Sequence, residues 1–405
     1  MKWDYVTLEK LGTVSRGKSK HRPRNDPSLF GGQYPFIQTA DVKEAELYLT
    51  DYSTTYNEKG LEQSKLWPAG TLCITIAANI ADTAILGIDA CFPDSIMGFI
   101  PFEGISNVKF VKYAFDILQR DCQTISQGTA QDNLSWKKLS TIKFPAPPIE
   151  IQNKIVKYIS AYDDLIENNQ KQIKLLEEAA QRIYKEWFVD LHFPGHEDVK
   201  IIDGVPEGWS KHRLGKLFQV VRGKSYSSKD LSENSGFLMV NLSNIRPYGG
   251  YNRNQEKHYT GKCNDDQFVV AHDLLMGVTD MTQERRTVGR VAIVPNLHEK
   301  AMISMDLIKL IPIEGDPLFY YALLNYGGYS EVVSSFANGT NVLHLRPEML
   351  GVVDVTLPDK KLQDRFVTYF ENIQNCIDML QEEIIYAAEA RDRLLPKLMS
   401  GEIEI

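Results

Sequence analysis

Apolar residues recur at seven-residue spacing in two long stretches of the chain. Residues 150–187 hold no Gly or Pro. There Ile155, Tyr162, Asn169, Leu176 and Ile183 share one heptad position, and Ile159, Ile166, Ile173 and Ala180 share a second. Around residues 360–395, Phe366, Ile373, Leu380, Ala387 and Leu394 repeat the stripe, backed by Phe370, Ile377 and Ile384. A stripe held this long predicts a coiled coil rather than a core helix. At 1.5 Å per residue each helix is roughly 57 Å long, and the two are expected to pair antiparallel and hold two globular parts apart. Elsewhere short apolar runs (71–76, 290–294, 306–313) are broken by Gly, Pro and Asn, which predicts mostly β domains with a few helices. Each such region ends at a proline stop, Pro145-Ala146-Pro147-Pro148 or Leu357-Pro358.

The pattern occurs twice. Trp3, Leu8, Leu11 and Arg16-Gly17-Lys18-Ser19 return 206 residues later as Trp209, Leu214, Leu217 and Arg222-Gly223-Lys224-Ser225. Phe99-Ile100-Pro101 returns 211 later as Leu310-Ile311-Pro312, and Pro147, Gln152 and Val156 return as Pro358, Gln363 and Val367. Near Ala69 and Ala271 the offset is 202. Two copies at this period mean a duplicated domain whose insertions collect in mid-domain loops. The expected fold class is α+β. Residues 1–148 and 209–358 are the two mostly-β domains, 149–190 and 359–398 the long helices, 191–208 a linker and 399–405 a tail.

Composition narrows the function. The 405 residues carry 45 Lys+Arg against 53 Asp+Glu, a net charge of −8, which on its face argues against a nucleic-acid binder. The start has no apolar leader, and the most apolar stretch, residues 72–88, carries Asn79 and Asp82 and could not cross a bilayer. Five scattered cysteines without a CxxC pair fit reduced thiols in a cytosolic protein and offer no zinc cluster.

Motifs for catalysis are sparse. Gly12-Thr13-Val14-Ser15-Arg16-Gly17-Lys18-Ser19 satisfies the P-loop pattern, but Pro23 and Pro27 forbid the helix that should follow Lys18. The second copy has Phe218 in place of the first glycine. There is no dinucleotide fingerprint, no HExxH and no nucleophile elbow. His192 and His196 flank Pro194, so they read as loop histidines rather than metal ligands. No catalytic, cofactor-binding or metal residue is assigned.

Charge is distributed unevenly, and binding phosphates needs local rather than total positive charge. Residues 1–30 hold seven Lys/Arg against three acids, with Arg16, Lys18, Lys20, Arg22 and Arg24 alternating, whereas residues 44–62 hold five acids against one Lys. The second copy supplies Arg222, Lys224, Ser225, Arg285, Arg286 and Arg290. Short polar side chains on loops, suited to reading base edges, are Gln38, Thr39, Gly128-Thr129 with Gln131 and Asn133, Asn241, Ser243, Asn244, and Thr340, Asn341 and His344.

The chain resembles the specificity subunits of type I DNA restriction-modification enzymes. The resemblance rests on Leu134, Leu139 and Pro147-Pro148-Ile149-Glu150-Ile151-Gln152-Asn153-Lys154-Ile155-Val156, repeated as Leu345, Leu350, Pro358, Gln363 and Phe366-Val367. The ending Arg393-Leu394-Leu395-Pro396-Lys397-Leu398-Met399-Ser400-Gly401 belongs to the same pattern. It implies a non-catalytic subunit with two target-recognition domains, each reading half of a bipartite, asymmetric site in double-stranded DNA. The paired helices then set the spacer and dock two methyltransferase subunits, through which restriction subunits join. S-adenosylmethionine, ATP and Mg²⁺ belong to those partners, and no membrane is involved. Two other readings use the same residues: an ATP-binding enzyme acting through Gly12 to Ser19, and a coiled-coil adaptor without DNA specificity.

Overall fold

The two sequence offsets become the rungs of matching sheets. In the computed structural model, which describes residues 3–405 except 46, 77–81, 126–138, 233–234 and 254–256, strand Gly12–Arg16 pairs antiparallel with Ile96–Pro101, and Phe218–Arg222 with Leu307–Pro312. Gly12 faces Pro101 and Arg16 faces Met97 in the first ladder; Phe218 faces Pro312 and Arg222 faces Ile308 in the second. Each position has moved by its own offset, 206 or 211, and lands on the same rung. The next strand holds too, with Leu72 opposite Phe99 and Leu274 opposite Leu310. A one-residue slip would turn every side chain to the other face, so shared register means a shared core pattern.

Residues Met1–Asn168 with Glu383–Ile405 form one compact unit and Asn169–Glu382 the other. The first holds a five-stranded sheet in the order Gly12–Arg16, Ile96–Pro101, Leu72–Thr75, Thr83–Leu86, Tyr48–Leu49, and a four-stranded sheet in which Phe30–Phe36 runs parallel to Ala90–Cys91. Helix Val108–Ile125 lies against the first sheet, burying Phe110 and Val111 with Leu72, Ile74 and Phe99. In the second unit Phe218–Arg222, Leu307–Pro312, Leu274–Gly277 and Val291–Ile293 form one sheet, and a second sheet has Phe237–Val240 parallel to Ala301–Ile303. Helices Pro317–Tyr326 and Tyr329–Ser335 complete it, so the α+β class holds.

The long helices run from Ile149 to Phe188 and from Lys360 to Ser400. Each starts where a buried glutamine ties its first turn to the preceding loop. Gln152 Nε2 donates to the carbonyls of Pro147 (2.8 Å) and Ile105 (2.9 Å), and its Oε1 accepts from the Asn107 amide. Gln363, one repeat later, donates to the Pro358 carbonyl at 2.8 Å. In the first unit Ile155 and Ile159, at the start of one helix, share a core with Leu395, Leu398 and Met399 at the end of the other. In the second unit Tyr184, Trp187 and Phe188 at the end of the first helix meet Phe366 and Phe370 at the start of the second. The pairing is antiparallel.

Three expectations change. The stripe is not a free coiled-coil seam: Ile155 and Ile159 also pack on Phe110 and Phe144, and Phe366 lies on Phe319, so the helix ends belong to each unit's own core. Ile166, Ile173 and Ile377 are buried, and Tyr162, Leu176, Ile183, Ile373, Leu380, Ile384 and Leu394 half-buried, along the rest of the stripe. The first helix stops at Phe188 rather than 190, and the second, which passes through Pro396 as its expected bounds required, ends at Ser400 rather than 398. A helix-interior proline costs about 3 kcal/mol, but fully burying Leu395, Leu398 and Met399 returns about 1.5–3 kcal/mol each, so the helix continues. Finally, residues 191–208 are not a plain linker, because they form the hairpin Ile201–Ile202 with Val205–Pro206 and bury Phe193 in the second unit's core.

Candidate nucleic-acid interface

The Gly-Lys-Ser motif proves to be scaffold. A Cβ on Gly17 would run into the Pro93 carbonyl oxygen, and one on Gly223 into that of Ser304, because the strand end passes directly over the neighbouring chain. The following amides lock that crossing: Lys18 N donates to Phe92 O (3.0 Å) and Lys224 N to Ile303 O (2.8 Å). Gly12–Arg16 is a sheet strand and no helix starts at Lys18 or Lys224, so the backbone offers no helix N-terminus for a phosphate. The residues do not fit a bound nucleotide, and the ATP-binding reading falls.

Within the first unit, Arg16, Lys20, Arg22, Arg24 and Gln38 are exposed and Lys18 and Thr39 half-buried. Arg22 donates to the Ser19 and His21 carbonyls, and Arg24 pairs with Asp94 at 2.7 Å. Such exposed pairs are worth little and can exchange for another anion. Gln38 caps helix Thr39–Glu44, its backbone N–H donating to Asp41 Oδ2 (2.6 Å). The fold brings Arg24 together with Gln38 and Thr39 on one pocket of about 430 Å³, whose wall includes the rings of Phe30 and Phe36. Sequence reasoning did not single out those two rings. The expected reading loop at Gly128, Thr129, Gln131 and Asn133 lies outside the described residues.

Within the second unit the basic loop and the Gly339-Thr340 loop, far apart in sequence, become neighbours. Strand Thr279–Asp280 pairs with Leu343–His344, and Gln283 Nε2 donates to the Thr340 carbonyl at 3.0 Å. Arg285, Arg286, Thr340, Asn341 and His344 are all exposed, and Arg290 is half-buried. Asp280 shapes the loop, accepting from Thr282 through Oδ1 and from the amides of Thr287 (2.6 Å) and Val288 (3.3 Å) through Oδ2. Burial pushes its pKa up, yet the hydrogen bonds from Thr287 and Thr282 outweigh that and hold it below the ordinary carboxylate value. Arg222 and Ser225 are also exposed; Arg222 pairs with Glu348 at 3.0 Å. The remaining polar candidates are turned inward. Asn241 and Asn244 are buried and cap the turn Leu242–Asn244, Ser243 donates to Asn241 Oδ1, and Asn244 donates to the Asn252 carbonyl.

Tyr248 is a residue the sequence reading passed over. It is 59% exposed on a turn beside this loop, with the Arg290 guanidinium 5.5 Å from its ring centre. The signal was present as Pro247-Tyr248-Gly249-Gly250, a turn composition carrying one large ring.

These features define a class: a duplicated α+β module, each copy of which packs on parts of both long helices, with basic and amide side chains on its loops and strand ends and no group of metal-holding side chains among the described residues. The chain belongs to the type I restriction modification DNA specificity domain family, whose model matches residues 1–178 and 206–389. It is 25% identical to the type I restriction enzyme MjaIX specificity subunit of Methanocaldococcus jannaschii, across 100% of this chain and 94% of that one. It is 23% identical to the HindI specificity subunit of Haemophilus influenzae, across 97% and 98%. The crystal structure of a type I restriction-modification S subunit from M. genitalium superposes with a TM-score of 0.60 over 98% of this chain and 96% of that one at 15% identity, a likeness of fold. Among the described residues no helix is long and apolar enough to cross a membrane.

Proposed function

We propose that this chain is the sequence-reading, non-catalytic subunit of a type I restriction-modification complex. Each unit reads one half of a bipartite, asymmetric site in double-stranded DNA. The observation that carries this is the rung-for-rung identity of the two scaffolds beneath unlike loops. A shared frame gives two equivalent ways of approaching a duplex, and different loops give two different half-sites. Arg16, Lys18, Lys20, Arg22 and Arg24 with Gln38 and Thr39 serve the first half-site, and Arg222, Arg285, Arg286, Arg290, Thr340, Asn341 and His344 the second. Phosphate contacts position the chain and base-edge contacts specify the sequence.

The helices dock two methyltransferase subunits and set the unread gap. Exposed apolar residues recur on them at equivalent positions of the repeat: Tyr158 (53% exposed) with Tyr369 (49%), and Leu175 (64%) with Tyr386 (61%). The same patch occurring twice suits two copies of one partner. S-adenosylmethionine, ATP and Mg²⁺ act in the partner subunits. The test is methylation mapping with the chain reconstituted with its methyltransferase subunits. Methylation confined to one split motif is expected; indiscriminate methylation would favour the adaptor reading and overturn this one.

A further inference from the structure

Tyr248 combines exposure with rigidity. Its φ is +68°, in the left-handed region that side-chain-bearing residues rarely adopt, and Gly249 and Gly250 follow at +121° and +96°. Those angles strain any side chain at either glycine, and a Cβ would also displace a side-chain end, Asn325 Oδ1 at Gly249 and the Arg246 guanidinium at Gly250. The turn is tied on three sides. Tyr248 N donates to Arg286 O (2.7 Å), Gly249 N to Arg246 O (3.0 Å) and Arg246 N to Gly250 O (2.9 Å). Arg246 in turn holds Glu177 of the first long helix in an ion pair, so the turn is rooted on that helix.

The surroundings of the ring are cationic. Arg290 approaches its face, Arg286 supplies the carbonyl that holds its backbone, and Arg285 carries no ion pair among the described residues. The only acid in residues 281–290 is Glu284, paired with Arg286. The same loop exposes Met281 at 72%. Large apolar groups held rigidly in water among arginines match the chemistry of duplex DNA: phosphates for the guanidinium groups and a base step for the ring.

We propose that Tyr248 is a wedge that inserts against one base step of the half-site read by the second unit, partly unstacking it. The proposal rests on the DNA-reading function above and adds to it a contact that senses how easily the step opens rather than its hydrogen-bonding edge.

The test uses the full chain reconstituted with its methyltransferase subunits and duplexes carrying the mapped target, with 2-aminopurine placed in turn through the half-site. Wild type is expected to raise 2-aminopurine emission at one step. Tyr248→Ala should abolish that rise and weaken binding about fivefold or more, about fivefold being the low end of what one stacked base contributes, while Tyr248→Phe keeps both. Unchanged emission with Tyr248→Ala would overturn the wedge. Equal loss with Tyr248→Phe would also overturn it, since the hydroxyl would then be the contact. Failure of Tyr248→Ala to assemble with the methyltransferase subunits would show instead that the ring faces protein. A wild-type complex with no preference for any split site, measured on unlabelled DNA, would overturn the functional reading itself.

Discussion

Asp280 is 2% exposed and accepts hydrogen bonds at both oxygens, so the basic loop of the second unit hangs on one carboxylate. Its folded pKa lies below the unfolded value, so the stabilisation is present above about pH 3.9 and is lost as pH falls through the folded value. Asp280→Asn places an amide donor against the donors from Thr287 or Thr282. It should cost about 1.5–3 kcal/mol at neutral pH and remove Asp280's share of the stability lost below roughly pH 4, measured by unfolding at a series of pH values. Gly223→Ala should cost about 1–3 kcal/mol in a thermal melt, since its Cβ would meet the Ser304 carbonyl. Lys18→Ala should leave nucleotide titrations flat, as in wild type. What the sequence could not show at this scale is which polar residues face water. Asn241 and Asn244 look like Asn341 in sequence, yet contacts with Ser243 and Asn252 draw the first two inward.

Among the elements, the heptad stripe made both long helices legible, and the offsets of 206 and 211 marked the duplication whose two copies share strand register. The second helix was expected to end at 398 and ends at Ser400, but what carries it past Pro396 was less legible. A proline reads locally as a stop, but Leu395, Leu398 and Met399 are buried against residues remote in sequence. Leu398→Ala should therefore destabilise the first unit by about 2–5 kcal/mol, while Pro396→Ala should raise its melting temperature. Differential scanning calorimetry would register both; a neutral Leu398→Ala would contradict the packing described.

At the scale of the whole molecule, a net charge of −8 averages acidic stretches with basic loops, so it says little about DNA. It does predict that the chain alone grips DNA more weakly than the complex, with much of the phosphate clamp supplied by the methyltransferase subunits, a difference readable in the salt dependence of binding. Replacing Tyr158 and Tyr369 together with Asp should abolish co-purification of the methyltransferase with only a small fall in melting temperature, because both side chains are about half exposed and the Tyr369 ring keeps one edge contact with Trp187. Adding one heptad to each long helix at facing positions lengthens the pair by about 10.5 Å. It should widen the gap in the methylated motif by roughly three base pairs, and an unchanged gap would show that the helices do not measure it.

The antiparallel helices also impose an order on biosynthesis. The core built on Phe110, Phe144, Ile155 and Ile159 is closed by Leu395, Leu398 and Met399, which the ribosome adds only after the entire second unit. The unit that emerges first is thus the last to be sealed. Throughout the translation of residues 169–382 those three side chains are missing from the nascent first unit, whose apolar flank is left open for that interval, the kind of surface through which folding intermediates aggregate.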